Sequence, residues 1–166
     1  METLARRLAL MLKPGDIIAL SGDLGTGKTA LSRATIQTLG GGTLEVPSPT
    51  FTLVQLYELP DFDLWHFDFY RLEAPQDALE LNIEDAFATG ASLIEWPEQL
   101  GPYLPPNRLD IHLSFADNAT TRHVNLVGGG HWVNRMDELR DGGPGPANLV
   151  VSRNTWLEPR QAADTC

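Results

Sequence analysis

Cysteine is almost missing: the 166 residues contain one, Cys166, at the last position. That excludes an intrachain disulfide and any metal cluster built on several cysteines, and it suits a reducing compartment. Positive charge is also scarce, with 12 Lys and Arg against 22 Asp and Glu and a net charge of −10. An acidic chain repels phosphate backbones at long range, so unaided binding of nucleic acid, DNA included, is not expected, while action on it through a basic partner stays open. Long apolar runs are lacking as well. Arg6 and Arg7 precede the run Leu8 to Leu12, but it is too short for a signal sequence and meets Lys13-Pro14-Gly15-Asp16. Nothing approaches the roughly 18 apolar residues that cross a bilayer. The expectation is a cytoplasmic protein without a membrane role.

What is present reads as one globular domain. Apolar residues make up 42% and charged residues 20% of the chain, which is ordinary for a packed core. Leu4, Leu8 and Met11 or Leu12 follow helical spacing and predict a first helix over 3–12. Ile17 to Ser21 reads as a buried strand and Lys28 to Leu39 as a helix, stopped by Gly40-Gly41-Gly42. Phe51 to Tyr57 and Leu64 to Phe69 read as strands about a turn at Leu59-Pro60-Asp61. A helix broken before Asn82 is expected within Gln76 to Phe87, then a strand from Ser92 to Trp96. Arg108 to Phe115 and Thr121 to Val127 alternate and predict a hairpin, with Asp117-Asn118 in its turn. His131 to Arg140 reads as a last helix.

Strands alternating with helices predict an α/β fold, a mixed and mainly parallel sheet covered on both faces, with an antiparallel edge hairpin. The domain is expected to span 1–140. Residues 141–166 begin Asp141-Gly142-Gly143-Pro144-Gly145-Pro146 and read as a tail, in which Leu149-Val150-Val151 is apolar enough to dock on the core.

The most specific signal is Gly22-Asp23-Leu24-Gly25-Thr26-Gly27-Lys28-Thr29, a Gly-x-x-x-x-Gly-Lys-Thr loop between a predicted strand and a predicted helix. Its glycines let the backbone turn N–H groups toward phosphate oxygens. The helix start adds free N–H groups and the positive end of its dipole. The loop therefore predicts a P-loop NTPase fold that holds a nucleoside triphosphate with Mg²⁺. Asp23, Leu24, Gly25, Thr26, Gly27, Lys28, Thr29 and Ala30 are expected at the phosphates, Lys28 on the β- and γ-phosphates and the Thr29 hydroxyl on Mg²⁺.

Such a metal needs a further protein oxygen, and two predicted strands end in acid, at Asp68 and at Glu95. Asp68 is the candidate for the metal side; capping the next turn or pairing with Arg71 is the plainer role. Glu95 is the candidate for orienting an attacking water or hydroxyl; a solvated strand-end charge is the plainer role. Trp96 suits core or groove packing. In Pro47-Ser48-Pro49-Thr50-Phe51-Thr52 the prolines impose an extended path. Thr50 there serves equally well as a switch-like hydroxyl at the γ-phosphate or as plain strand entry. His66 reads as a packed or surface histidine, and His112, His123 and His131 lack metal spacing.

Four blocks, in order, carry a resemblance: Leu20 to Thr29; Val46-Pro47-Ser48-Pro49-Thr50-Phe51-Thr52-Leu53-Val54; His66-Phe67-Asp68-Phe69-Tyr70-Arg71-Leu72; and Ile94-Glu95-Trp96-Pro97-Glu98, with Arg122 in keeping. Over residues 1–140 the chain resembles the TsaE (YjeE) ATPases of bacterial tRNA threonylcarbamoyladenosine synthesis. The resemblance implies a seven-stranded mixed sheet with ATP and Mg²⁺ as ligands. It implies Thr29, Asp68 and Glu95 toward the metal, Thr50 in a switch-like loop, and Trp96 at the nucleotide. It also implies a weak, partner-dependent ATPase that supports the TsaB–TsaD pair in modifying adenosine 37 of tRNA. Other readings are a small P-loop kinase, although no Arg-rich lid segment is visible, and a nucleotide-dependent switch module; its GTP form would need an Asp-x-x-Gly motif, which the chain lacks, and Asn134-Arg135-Met136-Asp137, which mimics a guanine motif, lies on the predicted last helix and reads as a coincidence.

Overall fold

A computed structural model describes residues 1–118, 120–141 and 149–151. The first helix, α1 (Glu2–Met11), buries Leu4, Leu8 and Met11, the stripe that its spacing predicts. Strand β1 (Ile17–Ser21) leads into the glycine-rich loop and α2 (Lys28–Leu39), which packs on α1. The hairpin β2 (Val54–Glu58) and β3 (Asp63–Asp68) follows. A 3₁₀ segment (Pro75–Leu81) and α3 (Ile83–Thr89) meet at Asn82, whose left-handed φ of 58° breaks the helix near the expected place. Next come β4 (Ala91–Glu95), a 3₁₀ segment (Pro97–Tyr103) kinked at Gly101, β5 (Leu109–Phe115), β6 (Arg122–Gly128), α4 (Trp132–Asp141) and β7 (Leu149–Val151).

The strands form one seven-stranded sheet in the order β2-β3-β4-β1-β5-β6-β7. Four adjacent strands, β3, β4, β1 and β5, are mutually parallel. β2 runs antiparallel to β3 at one edge, and β6 antiparallel to β5 inside the other edge, so the expected hairpin is matched by a second across the sheet. β7 adds to β6 in parallel, so the apolar run at 149–151 continues the sheet. Residues 142–148 and 152–166, the rest of the expected tail, lie outside the described residues.

Side chains alternate between the faces of a strand, and the inner strands are apolar on both. Ile18, Leu20, Leu93 and Ile111 face the layer of α1, α2 and α4. Ile17, Phe67 and Ile94 face α3 and the short helical segments. His66, Asp68 and Glu95 share the parity of Leu64 and Leu93, so they point to the α2 side.

Two strand boundaries differ from expectation. The strand expected from Phe51 starts at Val54, because Leu53 takes a left-handed φ of 65° and its N–H bonds to the Pro49 carbonyl at 2.7 Å, closing a turn over 49–53. The strand expected to include Trp96 ends at Glu95, since Trp96 is also left-handed, with φ 56° and ψ 52°.

Candidate nucleotide site

Parallel strands bring their carboxyl ends to one edge, where a crevice can form. Leu20 pairs with Glu95 and Asp68 pairs with Glu95, so the acids at the ends of β3 and β4 are neighbours near the carboxyl end of β1. The chain then enters the loop. Gly22, Gly25 and Gly27 all have positive φ, at 135°, 81° and 107°. At Gly22 a Cβ would sit 2.2 Å from the Leu113 carbonyl oxygen, so only glycine fits beside β5. The loop is braced from within and from β6. The Thr26 hydroxyl donates to the Asp23 carbonyl at 2.8 Å, and Arg122 Nε donates to the Thr26 carbonyl at 3.1 Å.

Lys28 opens α2 and is buried, its Nζ donating to the Gly22 and Asp23 carbonyls at 2.6 and 2.9 Å. The Trp96 ring lies over that amine, with the centroid 4.2 Å away, and Tyr70 packs on Trp96 at 5.0 Å. Burial pushes the Lys28 pKa below the usual lysine range; the charges of Glu95, Glu98, Asp68 and Asp23 pull it back only in part.

Thr29 follows on the first turn of α2, and its hydroxyl donates to Glu95 Oε2 at 2.8 Å. The other oxygen of Glu95, Oε1, lies 2.8 Å from His66 Nε2. Glu95 is thus no solvated strand-end charge: it is 2% exposed and both its oxygens are engaged. Asp68 is 4% exposed. Its Oδ1 accepts the Tyr70 N–H at 3.0 Å, which is the turn-capping role, while its Oδ2 accepts the Thr50 hydroxyl at 3.3 Å. Arg71 lies instead over the Phe51 ring, 4.5 Å from its centroid. The turn over 49–53 sets Thr50 at the site, and Ser48 Oγ stands 2.7 Å from its hydroxyl.

These groups line one cleft of about 280 Å³. It gathers Leu24, Gly25, Gly27, Lys28, Thr29, Ala30, Thr50, Asp68, Glu95 and Trp96 from the sequence reading, and adds Ser48 and Tyr70. Asp23 and Thr26 stand behind it, shaping the loop. His66 is the residue whose place the sequence did not reveal. It is fully buried on the Asp68 face and bonded to Glu95; the signal available was its i, i+2 spacing from Asp68 on a strand. The stretch Asn134 to Asp137 lies on α4, whose Arg135 bonds to Asp16 just before β1, at the opposite end of the sheet from the loop.

The donor set is made of oxygens: a threonine hydroxyl and two carboxylates. That suits Mg²⁺, which takes few protein ligands when it arrives with phosphates. Among the described residues no group of three or more His, Cys, Asp or Glu could hold a metal by itself.

Residues 1–124 match the family model described as threonylcarbamoyl adenosine biosynthesis protein TsaE. A tRNA threonylcarbamoyladenosine biosynthesis protein TsaE from Rickettsia typhi is 39% identical over 117 residues, covering 70% of this chain and 81% of the relative. The protein of that name from Haemophilus influenzae is 36% identical, covering 72% and 75%. The crystal structure of Bacillus subtilis YdiB superposes with a TM-score of 0.59 at 32% identity, covering 70% of this chain and 71% of that one. The loop, the two strand-end acids and strands β1 to β5 thus sit inside a family match covering most of the chain, which belongs to the TsaE family of tRNA threonylcarbamoyladenosine biosynthesis.

Proposed function

We propose that this TsaE-family protein binds and hydrolyses Mg²⁺-ATP as the accessory ATPase of a TsaB–TsaD pair, in the cytoplasm, and meets tRNA only through that pair. The single observation carrying the nucleotide part is the convergence of a phosphate loop, the Thr29 hydroxyl and two buried acids on one cleft. The loop N–H groups and the start of α2 bind the β- and γ-phosphates, and Lys28 adds a charge held in place by two loop carbonyls. Thr29 and Asp68 would hold Mg²⁺, which supplies charge neutralisation at the phosphates. Glu95 orients Thr29. With both its oxygens engaged, the geometry favours this shell role over that of a base. Thr50 ties the loop at 47–52 to Asp68, so movement of that loop would be felt at the metal side.

The partner part rests on family membership and on charge. A protein of net charge −10 gains little from holding tRNA itself. No described helix is long and apolar enough to cross a membrane.

Phosphate release from Mg²⁺-ATP, measured for this chain alone and with TsaB–TsaD, tests both parts. Slow release alone, strong stimulation by the pair, and loss of both in Lys28→Ala are expected. An unchanged rate despite complex formation would overturn the partner role; saturable binding absent altogether would overturn the nucleotide role.

A further inference from the structure

His66 sits on β3 between Gln55 of β2 and Leu93 of β4 and has no exposed surface. An apolar side chain would fill that place without polar cost. The imidazole instead buries Nδ1 with no partner among the described residues, and an unsatisfied buried polar atom costs about 1–3 kcal/mol. In return it makes one bond, to Glu95 Oε1 at 2.8 Å. A carboxylate oxygen accepts, so Nε2 carries the hydrogen of that bond.

That bond fixes an otherwise free torsion. The terminal torsion of a glutamate is broad, and Thr29 alone, on Oε2, would let the carboxylate swing about its contact. Two donors on opposite oxygens stop the swing. Thr29 has a single hydroxyl hydrogen. While that hydrogen is directed at Glu95, the oxygen lone pairs face away from it, into the cleft that Thr29 lines. A Thr29 hydroxyl free to rotate would often aim its hydrogen at the place where a cation needs an electron pair.

We propose that His66 is a positioning residue: through Glu95 it holds the Thr29 hydroxyl in the rotamer that offers a lone pair to Mg²⁺. The inference rests on the Mg²⁺-ATP reading above and adds a residue to it. Partners behind a metal ligand typically change metal affinity by about 10–100-fold when lost.

The test compares three full-length variants. His66→Gln places an amide nitrogen near Nε2, within reach of Glu95. His66→Asn places one near Nδ1, out of reach, and His66→Leu supplies none. ATP affinity is measured by calorimetry in EDTA and along a Mg²⁺ titration. The imidazole of the nucleotide-free protein is read by ¹⁵N NMR. The expected result is native-like ATP binding in EDTA for all three variants. His66→Asn and His66→Leu should need about tenfold more Mg²⁺ to reach full affinity. His66→Gln should stay close to native, and the hydrogen should be found on Nε2. Should His66→Leu not fold, the Gln and Asn pair decides. A native Mg²⁺ requirement in His66→Asn, equal losses in Gln and Asn, or the hydrogen on Nδ1 would overturn the assignment while leaving Mg²⁺-ATP binding intact. Absence of Mg²⁺-dependent ATP binding in the unsubstituted protein would instead remove the nucleotide reading, and this inference with it.

Discussion

Replacing Gly22 by alanine tests the loop geometry quantitatively. Two costs arise. The backbone at φ 135° is one that L side chains rarely adopt, worth about 1–3 kcal/mol. The new Cβ would also lie 2.2 Å from the Leu113 carbonyl oxygen and 2.9 Å from Thr26 Oγ1. Relieving that overlap means moving β5 backbone or the loop, at about 1–3 kcal/mol. Gly41→Ala is the control: its φ is 86°, but nothing lies within 4 Å of the added Cβ, so only backbone strain remains. We expect Gly22→Ala to lose about 3 kcal/mol, or about 6–12 °C in Tm for a domain of this size, and Gly41→Ala to lose about 1 kcal/mol, or about 2–4 °C. Thermal and urea unfolding of the two variants, read by circular dichroism beside the unsubstituted protein, provide the comparison. Equal losses in the two variants would refute the close approach of loop to β5. A Gly22→Ala protein within 2 °C of the parent would refute the strain as well.

Two further outcomes follow from charges at opposite ends of β1. Because burial lowers the Lys28 pKa in the folded state, the unfolded chain binds the extra proton between the folded pKa and the ordinary lysine value; the penalty is full below the folded pKa and fades as pH rises through that window. The stability of Lys28→Met relative to the parent should therefore fall as the solution is made alkaline, while ATP affinity falls about 10–100-fold; urea titrations at several pH values and calorimetry check both, and a relative stability that rises with pH would contradict the sign. Asp16 is 2% exposed and accepts from Lys13 N–H, His131 and Arg135, tying the end of α1 to α4; Asp16→Ala strands these donors and should cost about 3 kcal/mol while leaving ATP affinity unchanged, since the loop is at the other end of the sheet, and any large loss of affinity would count against that separation.

The phosphate loop was legible because its chemistry is contiguous: glycines, lysine and threonine act where they stand in the chain. Asp68 and Glu95 were legible as acids closing apolar strands, and the sheet order then made them neighbours. The pairing of Glu95 with Thr29 was not, because it depends on which face of β4 looks toward α2. His66 was hidden for a related reason. Spacing puts a histidine on a face, but only the packed neighbours show whether it meets water, apolar side chains or a carboxylate. Leu53 and Trp96 misled the strand boundaries because both have side chains suited to strands, while tertiary contacts hold their backbones left-handed. The run at 149–151 is too short to define a strand by pattern alone; its partner β6 does so.

The rung formed by Leu20, Glu95 and Asp68 has a consequence for folding. Its members come from three distant stretches of chain, and parallel pairing across such separations is slow, because loop closure is unfavourable before the contacts reward it. The loop and α2 can form locally, but Glu95 meets Thr29 with Asp68 alongside only after β3, β4 and β1 have all joined in register. A one-residue slip of β3 would send Asp68 to the opposite face. Any ligand that needs the completed cleft therefore recognises the finished sheet and none of its partly assembled forms. Its binding would stabilise that state alone by mass action, and in a refolding experiment the recovery of binding would mark the last strand-pairing step rather than the first collapse.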